Sequence, residues 1–526
     1  MSPSRTRSLQ PRPRSPLLAA GLAAAHGSGK DTRDAVALDD MERRRTWAEL
    51  DERVVRIARL LRDRHGLEAD DHIAVLMGNR VEVVELVLGA MLAGVWLTPI
   101  NHHLTADEVA YIVADSGSRV LLTDGEHEGV ARRAGAGRVL VAGEELEAAI
   151  AAASDEPLPP GGCPGSTMIY TSGTTGRPKG VRRARAATVE EMVSATIAGG
   201  RTLGLDGSGQ HLVTGPLYHA APLLFAVYDL IAGAPMVVMQ RWDAARTLEM
   251  IERQRIAHTH LVPTMFVRLL RLDESVRAAF DPTSLTLVLH GAAPIARHIK
   301  EAMIAWWGEV LVEYWGATES GVCTLVGSRE WLERPGTVGR PTPSYEVFAV
   351  DDAGRRLGTG ERGALYARHK VVERPFEYHR AEGKTAESYL DETAFTFGDV
   401  GYVDADGYVY LSDRKSHTII SGGVNIYPAE IEDVLHRHPA VADVAVFGVP
   451  DEEWGEQVKA AVELNTGYAP SPALETEILA FAREHLAGYK VPRSIDFEDA
   501  LPRHTTGKLY TRLLRDRYWQ GKERSI

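Results

Sequence analysis

Along Trp47–Asp63 the apolar residues Leu50, Val54, Ile57, Leu60 and Leu61 recur at helical spacing with arginines between them, which predicts an amphipathic surface helix. Short apolar runs then alternate with helix-like stretches. His72–Leu76 predicts a strand, Arg80–Leu92 a helix, Val95–Ile100 a strand, and Val109–Ser116 with Val120–Thr123 a further helix and strand. The alternation resumes after residue 180, with helices over Thr188–Ala198, Leu223–Ile231, Ala244–Gln254 and Met265–Leu272. Strands are expected over His211–Thr214, Met236–Met239, Thr259–Leu261 and Leu285–His290. This pattern predicts an α/β fold, with helices on both faces of its sheets.

Beyond Arg340 the elements become short strands (Val347–Val350, Gly363–Ala367, Gly401–Val403, Tyr408–Leu411), separated by the turn clusters Asp352–Gly354 and Asp404–Gly407. Polar Ser412–Lys415 reads as a boundary. After it comes a compact unit with helices Ala429–Arg437 and Ser471–His485 and strands Val444–Gly448, Val458–Leu464 and Ile495–Phe497. The expected organisation is a tail (1–16), a large α/β domain with several sheets (17–412), a hinge (413–416) and a small, mobile α+β domain (417–526).

A chain of 526 residues is long enough for two or more cores. Its formal charge of −13 argues against nucleic acid or an anionic membrane as partner. The two cysteines, Cys163 and Cys323, lack the spaced Cys or His neighbours of a zinc site, and a disulfide framework is not expected. Arg5–Arg14 followed by apolar Leu17–Ala25 looks like a short signal peptide. The preferred reading is a polar tail leading into a first helix, and a cytoplasmic protein.

Candidate chemistry begins where the apolar run Met168–Tyr170 gives way to Thr171-Ser172-Gly173-Thr174-Thr175-Gly176-Arg177-Pro178-Lys179. Glycines let the backbone turn and expose its N–H groups, hydroxyls add donors, and Lys179 adds a mobile positive charge, a set suited to a polyphosphate. The spacing is not that of a Walker loop. The string resembles the phosphate-binding signature of the adenylate-forming superfamily, which includes acyl-CoA synthetases, luciferases and peptide-synthetase adenylation domains.

Further blocks resemble that superfamily, in its order, out to Lys508. Pro216-Leu217-Tyr218-His219 matches the turn whose histidine lines the acyl pocket, and Ala220 and Ala221 leave room for a bulky acid. His290-Gly291-Ala292-Ala293-Pro294 matches a turn along acyl chain and adenine; from the residues alone it reads equally as a plain strand-to-helix turn. In Glu313-Tyr314-Trp315-Gly316-Ala317-Thr318-Glu319, the resemblance makes Thr318 the α-phosphate contact and Glu319 the Mg²⁺ carboxylate. Trp315 stands where the family places a tyrosine on adenine. Asp399 matches the ribose-binding aspartate, with Phe397 in place of a threonine before Gly398. Arg414 matches a ribose or phosphate contact and Ser416 the hinge residue. Ser421-Gly422-Gly423 matches the loop presented for thioester formation, and Lys508 the lysine bridging carboxylate and α-phosphate.

The resemblance implies an acyl-CoA synthetase that uses ATP (leaving AMP), Mg²⁺, coenzyme A and a carboxylic acid, as a monomer or homodimer. The acid is expected to be bulky and hydrophobic. Trp315 and Phe397 open an alternative, since overpacking a fitted slot costs about 1–3 kcal/mol. That alternative is an enzyme performing only the thioester step on an acyl-adenylate supplied by a separate adenylating enzyme. A third reading is a nucleotide-binding pseudoenzyme.

Overall fold

The computed structural model describes all residues except 1–12, 28–30, 136, 172–176, 293, 294, 296, 352, 415–418, 427, 503–510 and 521–526. Residues 13–16, the last of the expected tail, are among the described residues. The backbone N–H groups of Arg14 and Ser15 donate to the two carboxylate oxygens of buried Asp51 at 2.7 and 2.9 Å, anchoring the segment ahead of helix Ala19–Gly27.

The largest sheet has fourteen strands. Toward one end of it Val36–Asp39, Met236–Val238, Gln210–Val213, Ile256–Leu261, Leu287–His290 and Leu311–Ala317 run parallel in that order. Successive side chains of a strand point to opposite faces. Met236 and Val238 accordingly join the core shared with helices Trp47–Arg59 and Ala220–Ala232. Val237 joins the opposite core, with helices Ala244–Arg253, Pro263–Leu270 and Arg297–Trp307. The expected helices on both faces are therefore present. A second sheet of five parallel strands (Val139–Val141, Ser118–Thr123, His72–Leu76, Trp96–Pro99, Ser166–Thr167) packs on the first of these cores.

Three features depart from the sequence expectation. The helix expected over Trp47–Asp63 stops at Arg59 and continues as a π-helical turn, Leu60–Arg64. The block around Gly316 forms an antiparallel hairpin, Leu311–Ala317 with Gly321–Gly327, extending the parallel sheet. Val36–Asp39 and Arg44–Thr46 form a strand pair at the sheet's edge.

The small domain is a five-stranded sheet with helices Pro428–Leu435 and Pro472–His485 on one core and Thr511–Trp519 on another. Lys490 ties it to the large domain: its Nζ donates to Glu430 at 2.6 Å and to Glu108 of the large domain at 2.9 Å. Glu108 also caps its own helix, accepting from the Thr105 N–H. Arg268 and Glu453 form a second pair across the joint, at 2.6 Å. Among the described residues, no helix is long and apolar enough to cross a membrane.

Candidate active site

A cavity of about 1700 Å³ opens where strand ends of the large domain face the small domain. Thr171 and Lys179 reach it from an antiparallel hairpin, Ile169–Thr171 with Lys179–Arg183, which flanks the glycine-rich loop. Residues 172–176 of that loop lie outside the described residues. Burial, with Lys384 nearby, holds the Lys179 ammonium below its usual value.

His219 sits at the N-cap of helix Ala220–Ala232, so Ala220, Ala221, Phe225 and Tyr228 follow it along the cavity wall. Burial pushes its imidazole down to about 4. It is therefore neutral at pH 7 and offers the cavity a dipole rather than a charge. Gly316, at the end of its strand, and Thr318 and Glu319, from the turn that follows, also line the wall. Gly316 is required there, because a Cβ would come 1.9 Å from the carbonyl oxygen of Gly321. Glu319 accepts from the Tyr378 hydroxyl at 2.8 Å.

Ala292 and Tyr314 line the same space, and the Tyr314 hydroxyl meets His260 Nε2 at 3.0 Å. Ala292 has a φ of 66°, a sparsely populated conformation for a side-chain-bearing residue. Gly291 lies behind it; a Cβ there would come 2.7 Å from the Tyr314 carbonyl. From the small domain, Gly422 and Gly423 complete the wall with Trp454 and Tyr489.

Trp315 and Asp399 are placed differently from the rest. Neither lines the cavity; both are buried behind it. The indole Nε1–H donates to Asp399 Oδ2 at 2.8 Å, and Phe397 packs edge-on against the indole at 5.4 Å. Ser421 pairs with Val424 and Gly455 in the small sheet, and the Arg414 backbone pairs with Asp399. Ala293, Ser416 and Lys508 lie outside the described residues.

The cavity also gathers groups that the sequence reading did not single out: Arg183, Tyr228, His260, Tyr378 and Lys384. For Arg183 a signal existed, since Lys179 and Arg183 share one face of a strand by the two-residue period.

His260 supplies a pH test. Burial, with His211 and His219 adding to it, pushes its imidazole from 6.5 down to about 3. A lowered histidine binds its proton more weakly folded than unfolded, so acid destabilises the fold from about pH 6.5 downward to about 3. His260→Gln is expected to make that loss shallower by about 1.4 kcal/mol per pH unit, read from urea titrations across that window.

The hairpin carrying Lys179, the neutral His219 and the Thr318–Glu319 pair meet around one cleft, as the resemblance to adenylate-forming ligases implies. Comparison with known proteins agrees. Residues 26–375 match the AMP-binding enzyme family and residues 430–508 its C-terminal domain. The fatty acid–[acyl-carrier-protein] ligase ScoC of Streptomyces coeruleorubidus is 33% identical over 512 residues, covering 95% of this chain and 96% of its own. The o-succinylbenzoate CoA synthetase MenE of Bacillus subtilis is similar in structure. Its double mutant bound to the product analogue OSB-NCoA superimposes with a TM-score of 0.81 at 29% identity, covering 95% of this chain and 98% of its own. Its complex with the acyl-adenylate OSB-AMP gives 0.64 at 29% identity, covering 94% and 98%. The chain belongs to the AMP-binding enzyme family, among its acyl-CoA and acyl-carrier ligases.

Proposed function

We propose that this protein is an acyl-CoA synthetase that joins a bulky carboxylic acid to coenzyme A through an acyl-adenylate. The observation that carries the reading is one cavity lined by Lys179, His219, Thr318 and Glu319 of the large domain and by Gly422 and Gly423 of the small one. In the first half-reaction a carboxylate oxygen attacks the α-phosphorus of ATP and pyrophosphate leaves. Lys179 and Thr318 bind and orient the phosphates, as donors positioned before the charge develops. Lys508 is assigned the bridge between carboxylate and α-phosphate.

Glu319 is the carboxylate that would hold Mg²⁺. The described residues contain no cluster of three metal-ligating side chains. A single hard oxygen fits an ion carried mainly by phosphate and water. Bound there, Mg²⁺ supplies neutralisation of phosphate charge. In the second half-reaction the thiol of coenzyme A attacks the acyl carbonyl, its proton is lost, and AMP leaves. Gly422 and Gly423 line the route to that carbonyl. The better superposition on the product-analogue complex than on the acyl-adenylate complex, at equal identity, supports a domain arrangement suited to this step, with rotation of the small domain between the two halves.

The bond from Trp315 to Asp399 favours a second reading, in which only the thioester half is performed on an acyl-adenylate made elsewhere. The indole N–H takes up carboxylate capacity that the two ribose hydroxyls would need. Trp315→Tyr is therefore expected to strengthen Mg·ATP binding about ten- to a hundredfold, measured by calorimetry. Measurable binding by the wild type supports the complete ligase. Binding only by the tyrosine variant supports the thioester half-enzyme. A wild type that forms no thioester from acids with ATP or from acyl-adenylates, with coenzyme A, overturns both and leaves the pseudoenzyme.

A further inference from the structure

The cavity wall beyond His219 carries a cation with no anion. Arg183 projects into the cavity from the last position of strand Lys179–Arg183, beside Gly321 and Tyr228. Its neighbours along the chain are conventionally paired: Arg182 and Arg185 both stack on Trp96 and both face Asp70. Among the described residues, no carboxylate pairs with Arg183. Its Nη2 donates to the Ser320 carbonyl at 3.2 Å, and the Tyr228 hydroxyl is within hydrogen-bonding reach. The Ser320 carbonyl is shared, since it also accepts from the Tyr345 hydroxyl at 2.8 Å.

A guanidinium carries five N–H donors and stays charged at any physiological pH. Two acceptors leave it donors to spare, at the edge of a half-buried cavity. Gly321 keeps the space open: its φ is 74°, and a Cβ there would sit 3.2 Å from Arg183 Nη2. Tyr228 lies nine residues along the helix from His219, which at 1.5 Å per residue is about 13 Å away. A plain hydrocarbon acyl group filling this end would strip water from the guanidinium and return nothing to it.

We propose that Arg183 binds an acceptor oxygen carried by the acid itself, remote from its reacting carboxylate. The substrate class is then a bulky carboxylic acid bearing a ketone, a hydroxyl or a second carboxylate at its far end, rather than a simple fatty acid. This rests on the acid-ligase reading above and narrows it.

The test uses matched cyclic carboxylic acids that differ only at the far end: methylene, ketone, hydroxyl or carboxylate. Binding to the full-length protein is read by calorimetry. Thioester formation is read separately, from acid with ATP and from the acyl-adenylate, each with coenzyme A. The wild type is expected to bind an oxygenated acid roughly tenfold or more tighter than its methylene partner. Arg183→Met should erase that ratio, and Arg183→Lys should retain part of it. The wild-type ratio stands by itself should Arg183→Met fail to fold. Equal or tighter binding of the methylene acid, or a ratio that survives in Arg183→Met, overturns the proposal. A preference for the carboxylate alone upholds it and identifies the acceptor as an anion; equal preference for the ketone identifies a neutral one. A binding ratio without any thioester would overturn the ligase reading and leave Arg183 its role; thioester without a ratio would do the reverse.

Discussion

Gly422→Val is expected to slow thioester formation from a supplied acyl-adenylate and coenzyme A by about a hundredfold or more. Gly422 has a φ of 61°, and a Cβ there would come 2.4 Å from the Trp454 ring. The same two residues share a backbone bond, Gly422 N–H to the Trp454 carbonyl at 2.9 Å. Trp454 is itself held, with the Arg268 guanidinium over its ring at 4.7 Å. A β-branched residue therefore meets left-handed backbone strain and a fixed aromatic ring together. A combined effect of about 3 kcal/mol corresponds to the stated factor. Quenched single-turnover measurements with the acyl-adenylate check it directly, because the adenylation half is bypassed. A rate within about threefold of wild type would remove the loop from the thioester step.

Lys300→Met is expected to destabilise the large domain by about 3–5 kcal/mol. Lys300 is fully buried, ion-paired to Glu313 and seated over the Trp331 ring at 4.5 Å. Burial raises the Glu313 carboxyl above its usual value, and Lys300 opposes that rise. Without the lysine, Glu313 must ionise unpaired or take up a proton. Lys300→Met combined with Glu313→Leu is expected to recover most of the loss, since an apolar pair of similar volume needs no counter-charge. Urea unfolding followed by tryptophan fluorescence reads both, with Trp331 as a reporter in contact with the change. Equal stability of Lys300→Met and wild type would show that the pair contributes nothing net.

The parallel strands of the large domain were legible because runs such as Met236–Met239 are apolar throughout, as burial on both faces requires. The strand Arg44–Thr46 was not, since an edge strand of Arg-Arg-Thr has no apolar alternation to show. The hairpin after Leu311 was hidden for another reason. Glu313 to Glu319 read as a binding block, and most of the same residues carry the strand, with a register shift between Trp315 and Gly316. The site blocks were legible as strings, and most of their described members do meet at one cavity. The direction of the Trp315 ring was not legible: composition shows an aromatic at that position, but only the fold shows its N–H turned to Asp399. Arg183 was concealed by its neighbours, since Arg182-Arg183 and Arg185 read as a solvated charge run until the strand's two faces are separated.

The joint at Lys490 has one further property. It brings two carboxylates, Glu108 and Glu430, onto a single ammonium, so the buried cluster is formally one negative charge in excess. Burial raises the Glu430 carboxyl above its usual value, Lys490 opposes that rise and Glu108 adds to it. A carboxyl with a raised value holds its proton better folded than unfolded, so its stabilising contribution is present in acid and fades as pH rises through its folded value. The buried cluster at the contact between the domains is thus favoured by acid, opposite in sign to the acid-sensitive interior around His260. As pH falls, this cluster gains from the proton it holds while the larger domain's own core, around His260, loses.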